Sequence, residues 1–116
     1  MIAGIGLDVV EIERIKLACE RRETFSSRVL TPNEHKVYEK LQGTRKDEFL
    51  AGRFSAKEAF SKAMGTGIGK LGFHDIEILN GPTGKPEVTQ TPFDGNVWIS
   101  ITHTDQIAAA QVILEK

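Results

Sequence analysis

The sequence predicts an α+β fold in which N-terminal helices pack on an antiparallel sheet. Two observations support this: residues up to Met64 favour helices after one short strand, and residues beyond Gly69 favour short strands separated by turns. Helices that come first and strands that come last are typical of α+β domains. The 116 residues fit one domain, residues 1–116, and a domain of this size often gains burial by oligomerisation.

The composition is ordinary for a globular protein, with 40% apolar and 27% charged residues. A net charge of −1 gives no basic bias, so we expect no nucleic-acid partner. No stretch approaches the roughly 20 apolar residues that a membrane span needs, and the first six residues lack the features of a signal peptide. The single cysteine, Cys19, excludes an intrachain disulfide. These features predict a cytoplasmic protein without a membrane segment.

The N-terminal segment predicts a short strand followed by an amphipathic helix. Residues 2–7 are apolar on both faces of a strand. Residues from about Val10 to Arg22 follow the helical period, because Ile12, Ile15 and Cys19 form one apolar stripe.

Two further helices are predicted from their start and stop signals. Residues 31–34 place threonine, proline and glutamate in the order of a capping box, so a helix should run from there to about Leu41. The longest helix should span 44–64 and stop at Gly65. Its predicted core residues are Phe49, Leu50, Phe54 and Phe60.

The second half predicts four short strands. Apolar residues at 76–79 form one strand, and the turn formers of 80–86 should return the chain antiparallel around Val88. Residues 97–102 alternate apolar and polar side chains, the period of a strand with one buried face. Ile107–Leu114 is apolar or small on both faces, so we expect other chains to cover one face.

Gln111 interrupts that last strand. A buried amide needs hydrogen-bond partners, and copies around a threefold axis could supply them. Alternatively, Gln111 lies on an edge strand and points at water.

Asp8 is the first candidate for chemistry. It follows Gly4 and Gly6 at the end of the first predicted strand, where it can present a carboxylate to a hard cation. The alternative is a structural one: Asp8 caps the next helix, with Glu11 three residues later as in a capping box.

The second candidate cluster lies near the end of the longest helix. Glu58 and Lys62 are four residues apart and share a face, with Ser55, Ser61 and Gly65 on or beside it. An ordinary exposed ion pair would have the same spacing. The glycines after Gly65 close a helix instead of opening one, so we exclude the phosphate loops of nucleotide-binding folds.

The third cluster is the segment 100–105. His103 stands between hydroxyl residues at a strand end, where it can donate to a phosphate, although a turn histidine that bonds backbone carbonyls fits equally. A serine hydrolase is disfavoured because Ser100, His103 and Asp105 lie too close in sequence to converge as a triad.

These three segments resemble the motifs of the bacterial holo-[acyl-carrier-protein] synthase family. The similarity covers residues 4–8, 53–63 and 100–104, in order and at the family's spacing. The resemblance implies the compact 4′-phosphopantetheinyl transferase fold, assembled as a homotrimer with an active site between neighbouring protomers. It also implies a magnesium-dependent enzyme of fatty acid biosynthesis that moves the 4′-phosphopantetheine arm of coenzyme A onto an acyl carrier protein.

The resemblance also assigns residues. It implies that Asp8 and Glu58 hold Mg²⁺ and that Lys62 meets the pyrophosphate. The positions implied for binding coenzyme A are Arg53, Ser61, Gly65, His103 and Thr104, with the His103 loop coming from the adjacent protomer. The helix after Asp8 is where the family docks the acidic carrier, and here Arg14 and Arg21 share one face of it.

The implied reaction is the attack of a carrier serine on the phosphorus next to pantetheine, with 3′,5′-ADP as the leaving group. Mg²⁺ and Lys62 can stabilise the developing negative charge. Glu58, directly or through a water, is the first candidate for the base that accepts the serine proton.

Two other functions remain open. A non-catalytic trimeric module that binds coenzyme A or a nucleotide is disfavoured by the presence of both carboxylates. A transferase that serves secondary-metabolite carriers is disfavoured by the short chain, because such enzymes resemble two fused copies of this unit.

Overall fold

The structure is a computed structural model that describes all 116 residues, and it confirms the α+β class. The elements in chain order are β1 Ile2–Glu11, α1 Ile12–Arg21, α2 Phe25–Val29, α3 Pro32–Lys40, α4 Thr44–Met64, a 3₁₀ helix Phe73–Asp75, β2 Glu77–Asn80, β3 Pro86–Gln90, β4 Asn96–His103 and β5 Ile107–Glu115. No helix combines the length and the apolar composition that crossing a membrane requires.

The strands form two antiparallel sheets instead of one. The larger sheet has the order β1-β5-β4, and β2 and β3 form a separate hairpin. The pairing of β1 with β5 continues to Glu11 opposite Ile107, four residues beyond the predicted end of the strand. This extended pairing leaves Asp8 inside the strand, opposite Ala110.

The alternative in which Asp8 caps the next helix is therefore wrong. The residue that precedes α1 is Glu11, and its side chain makes no capping hydrogen bond. Backbone pairing with β5 keeps Asp8 extended, and its side chain lies on the face of the sheet that α4 covers.

The other helix signals are confirmed. Thr31 Oγ1 accepts a hydrogen bond from the Glu34 backbone, and the Thr31 backbone N–H donates to Glu34 Oε1, the reciprocal bonds of a capping box. The longest helix begins at Thr44 and ends at Gly65, which takes the left-handed conformation with φ 77°.

Helix α4 lies directly against β1 and β5. A Cβ at Gly4 would collide with the carbonyl oxygen of Ala63, and one at Gly6 with that of Ala59. The two glycines therefore permit the close approach of strand and helix. The apolar core beneath α4 contains, among others, Leu50, Phe60, Ala110, Val112 and Leu114.

The opposite face of the β1-β5-β4 sheet is uncovered and largely apolar. Ile5, Leu7 and Val9 of β1 point to this side, and Leu7 is 65% exposed. Trp98 of β4 is also exposed there. Gln111 lies on the same face of the central strand, so it is not on an edge strand, although its side chain is exposed in the single chain.

Candidate active site

A polar cluster forms where α4 faces β1. Ser55, Glu58 and Lys62 are spaced three and four residues apart, so they share one side of α4. Asp8 projects toward them from β1, because Gly6, Asp8 and Val10 alternate onto the inner face of the sheet. The fold therefore brings the first two predicted clusters together.

Asp8 is held from two sides. Its Oδ2 lies 3.0 Å from Ser55 Oγ, and its Oδ1 lies 3.1 Å from Lys62 Nζ. Lys62 also donates to the backbone oxygen of Leu7 at 3.0 Å. The Asp8 side chain is 13% exposed, whereas that of Lys62 is 54% exposed. The cluster is thus anchored on its inner side and open on its outer side.

Glu58 belongs to the same electrostatic environment. Partial burial raises the pKa of its carboxyl, and the negative charge of Asp8 raises it further. Lys62 and Arg14 act in the opposite direction and lower the pKa of Glu58. Glu58 forms no ion pair within the chain, so its carboxylate is available to an external cation.

The two carboxylates fit Mg²⁺. No group of three or more metal-binding side chains occurs in the chain. Mg²⁺ usually retains several waters and is held by one or two carboxylates together with phosphates of the substrate. Asp8 and Glu58 offer oxygen ligands from two rigid elements at an open edge, which is the protein's share of such a site.

Arg53 and His103 lie around a different hollow, of about 180 Å³, beside Gly52 and Ile101. Arg53 is buried: its Nε donates to the Ile78 carbonyl at 3.0 Å, and its guanidinium stacks over the Phe49 ring at 4.4 Å. Burial lowers the pKa of Arg53 to about 10, so the group stays charged at neutral pH. His103 is half exposed, with Nδ1 3.6 Å from Glu48 Oε2.

Of the other residues implied to bind coenzyme A, two already use their hydroxyl groups in hydrogen bonds within the chain. Ser61 is buried, and its hydroxyl donates to the Glu58 carbonyl one turn earlier. Thr104 Oγ1 accepts from the backbone N–H groups of Gln106 and Ile107. Gly65 has open space where a side chain would begin.

The two polar groups lie at opposite edges of the large sheet. Asp8 is on β1 and His103 is on β4, with β5 between them. Helix α4 presents Glu58 and Lys62 on the β1 side, and Gly52 lies beside the same hollow as Ile101 on the β4 side. One chain therefore does not join all the predicted residues into a single site.

The arginines at the end of α1 and in α2 form a basic rim around an apolar hollow that the sequence alone did not indicate. A hollow of about 330 Å³ has Phe25 and Phe73 among its apolar lining. Arg21, Arg22 and Arg28 also line it. The hollow could not be predicted in full, because one of its lining residues, Phe73, comes from the 3₁₀ helix, far along the chain. Arg14 lies closer to the carboxylate cluster, since its charge acts on Glu58.

Comparisons with known proteins identify the family of this chain. Residues 4–112 match the family model of the 4′-phosphopantetheinyl transferase superfamily. The holo-[acyl-carrier-protein] synthase of Enterococcus faecalis is 57% identical over 115 residues, which is 99% of this chain and 98% of the relative. That of Streptococcus thermophilus is 56% identical over 116 residues, or 100% of this chain and 98% of the relative.

Solved structures give the same result. The holo-(acyl-carrier-protein) synthase of Bacillus anthracis, crystallised in complex with CoA (3′,5′-ADP), superposes with a TM-score of 0.92 at 49% identity and covers 98% of this chain and 96% of that one. The Neisseria meningitidis enzyme superposes with a TM-score of 0.91 at 35% identity, over 100% of both chains. This chain therefore belongs to the 4′-phosphopantetheinyl transferase superfamily, and within it to the holo-[acyl-carrier-protein] synthases.

Proposed function

We propose that this chain transfers the 4′-phosphopantetheine arm of coenzyme A to a serine of an apo-acyl carrier protein and releases 3′,5′-ADP, in the cytoplasm and in the service of fatty acid biosynthesis. The observation that carries the proposal is the open cluster of Asp8, Glu58 and Lys62 at the β1–α4 edge. The names of the relatives and the coenzyme A-derived ligand of the Bacillus anthracis structure support the same substrates.

Asp8 and Glu58 would hold a Mg²⁺ ion, which supplies charge neutralisation at the phosphates and orients them. Lys62 lies beside this pair and is half exposed, so its ammonium can leave Asp8 Oδ1 and meet a phosphate oxygen. Phosphoryl transfer depends mainly on such positioning and electrostatic stabilisation.

Glu58 is our candidate for the base. A carboxylate whose pKa lies above its usual value is a better proton acceptor near neutral pH, and burial and Asp8 both act in this direction on Glu58. The carrier serine would give its proton to Glu58, directly or through a water, as its oxygen attacks the phosphorus. The bond from phosphorus to the 3′,5′-ADP oxygen then breaks.

We propose that the working unit is a homotrimer in which two chains complete each site. His103 lies at the sheet edge opposite Asp8, so a neighbouring copy could bring its His103 loop against its partner's carboxylates. The exposed apolar face with Leu7 and Trp98 offers a surface for such contacts.

Gln111→Glu tests this assembly. Three like charges near a common axis would repel one another, so the trimer should dissociate and the activity should fall with it. Light scattering measures the assembly beside the transfer assay. A fully active monomer would refute the shared site, and a variant that stays trimeric would place Gln111 away from the axis.

We propose that the acidic carrier docks on α1 through Arg14, which lies toward the carboxylate cluster, and Arg21, which lines the apolar hollow. Reversing both arginines to glutamate should raise KM for the carrier about tenfold or more and leave KM for coenzyme A nearly unchanged. Added salt should weaken the wild-type interaction, because exposed charges are screened within about 8 Å at physiological ionic strength. A KM for the carrier that is insensitive to both changes would place docking elsewhere.

The deciding experiment is mass spectrometry of an apo-carrier after incubation with this protein, coenzyme A and Mg²⁺. We expect the carrier to gain the mass of the phosphopantetheine arm and 3′,5′-ADP to appear in equal amount. A reaction with chelator and one without coenzyme A are the controls. If coenzyme A binds but the carrier mass stays unchanged, the chain is the non-catalytic binding module instead.

A further inference from the structure

Ser55 is a buried serine whose side-chain hydrogen-bond partners both belong to Asp8. Its side chain is inaccessible to solvent, with 0% exposure, on the side of α4 that faces β1. Its Oγ lies 3.0 Å from the backbone oxygen of Asp8 and 3.0 Å from Asp8 Oδ2. The hydroxyl has one hydrogen to donate, so it serves either oxygen or is shared between them.

The two carboxylate oxygens of Asp8 consequently have different neighbours. Oδ2 faces the buried hydroxyl of Ser55, and Oδ1 faces the ammonium of Lys62 at 3.1 Å. The backbone of Asp8 is fixed by its pairing with Ala110. With the backbone fixed and Oδ2 held, Oδ1 is the oxygen on the open side of the cluster.

Helical spacing couples this arrangement to Glu58. Ser55 precedes Glu58 by three residues and Lys62 by seven, so all three lie on one face of α4. Helix α4 therefore carries the Glu58 carboxylate itself and orients the Asp8 carboxylate through Ser55.

We propose that Ser55 is a positioning residue for a divalent-metal site at Asp8 and Glu58: it holds Oδ2 so that Oδ1 is presented to the ion. The inference rests on the proposed function, since it requires that site. Without the hydroxyl, the Asp8 carboxylate can rotate and the Lys62 ammonium can take both oxygens. Loss of a hydrogen-bond partner of a metal ligand typically lowers affinity by about tenfold to a hundredfold.

The test is Mn²⁺ binding to the free protein, measured by electron paramagnetic resonance without coenzyme A. Ser55→Ala should bind Mn²⁺ about tenfold more weakly than the wild type. Ser55→Thr keeps the hydroxyl and should recover most of the affinity. Ser27→Ala is the control, because the Ser27 hydroxyl is exposed and donates only to the Thr24 carbonyl.

Transfer kinetics separate positioning from a packing role. The Mg²⁺ concentration for half-maximal activity of Ser55→Ala should rise about tenfold, with kcat at saturating Mg²⁺ close to the wild-type value. A packing role would lower the melting temperature or kcat and leave Mn²⁺ affinity unchanged, which would overturn the inference.

A further variant separates this inference from the proposed function. Asp8→Asn should abolish Mn²⁺ binding. If Asp8→Asn binds Mn²⁺ like the wild type, the proposed metal site is itself wrong and Ser55 has no such role. If Asp8→Asn loses Mn²⁺ binding while Ser55→Ala binds Mn²⁺ like the wild type, the metal site is retained and the positioning role of Ser55 is refuted.

Discussion

Lys57 and Glu58 are neighbours in α4, yet they belong to two different polar regions. Lys57 enters a closed network in which its ammonium and the Glu34 carboxylate pair at 2.6 Å, with both side chains 0% exposed. Glu58 enters the open cluster with Asp8 and Lys62, where the lysine is 54% exposed. The two regions use the same residue types in different surroundings.

The closed network is saturated. Lys57 Nζ donates to Glu34 Oε1, to the Val29 carbonyl at 2.7 Å and to the Phe73 carbonyl at 2.9 Å, which uses all three of its donors. Glu34 Oε2 accepts from the Ile78 backbone at 2.7 Å. These bonds join α2, α3, α4, the 3₁₀ helix and β2, and they leave no capacity for a ligand.

The open cluster is unsaturated on its solvent side. Lys62 can exchange its Asp8 contact for another anion, and Glu58 has no ion-pair partner. Residue type alone therefore does not decide function here. What decides it is how many of a group's hydrogen bonds the fold already uses and whether solvent reaches the remainder.

The largest expected effect is on catalysis, from neutralising the open cluster. Asp8→Asn or Glu58→Gln should lower transfer by about 10³-fold, because each removes a charge that the phosphates' metal ion needs. Mass spectrometry of the carrier measures the loss. Unchanged activity at limiting Mg²⁺ in both variants would contradict the assignment.

The same variants should retain their stability, and for Glu58 the direction follows from its pKa. The folded state raises the pKa of Glu58, so ionisation costs stability as the pH rises from the unfolded pKa through the folded one. Glu58→Gln removes this cost, so its free energy of unfolding at pH 7 should be equal to or slightly above that of the wild type. Urea unfolding would show a marked loss if Glu58 were structural.

The second largest effect is on stability, from breaking the closed network. Lys57→Met keeps the volume but leaves the Glu34 carboxylate buried without its cation, which typically costs about 3–5 kcal/mol. Urea unfolding measures this, with Lys40→Met at the end of α3 as the exposed control. Protein that remains folded should keep its Mn²⁺ affinity. A small change in unfolding free energy would mean that the network relaxes or admits water.

The sequence predicts features that depend on residues close together in the chain better than features that depend on distant residues. The bounds of α4, the capping box at Thr31 and the shared face of Glu58 and Lys62 depend on residues within a few positions, and all three are confirmed. The alternative in which Asp8 caps a helix is wrong because the conformation of Asp8 depends on pairing with Ala110, about 100 residues away.

The burial of Lys57 could not be predicted from the sequence either. Its position beside Glu58 in the motif gives no sign that it is buried. Its partners are carbonyls at the end of α2 and in the 3₁₀ helix, which only the folded chain brings together. The roles of Arg53 and His103 were assigned by family resemblance, which also implied that the His103 loop belongs to the adjacent protomer. The sheet order adds the physical detail that His103 lies at the edge opposite Asp8.

The smallest expected effect is on metal affinity, from removing Lys62. In the closed network Lys57 neutralises the buried Glu34 carboxylate, and its removal should lower the free energy of unfolding. In the open cluster Lys62 occupies Asp8 Oδ1 at 3.1 Å, the oxygen that an incoming cation needs. Lys62→Met should therefore bind Mn²⁺ more tightly than the wild type when coenzyme A is absent, even though transfer is lost.

The size of the gain follows from the electrostatics of an exposed pair. Two unit charges about 4 Å apart interact by about 1 kcal/mol in water, so removing the ammonium should raise Mn²⁺ affinity about fivefold. The gain should be full near pH 8 and shrink as the pH falls, because Lys62 also lowers the pKa of Glu58 and its loss strengthens competition by protons. Electron paramagnetic resonance of Mn²⁺ near pH 8 and again at a lower pH measures this, with Lys40→Met as the matched control. Weaker Mn²⁺ binding in Lys62→Met would mean that the ammonium organises the carboxylates instead of competing for them, and the two regions would then differ in exposure alone.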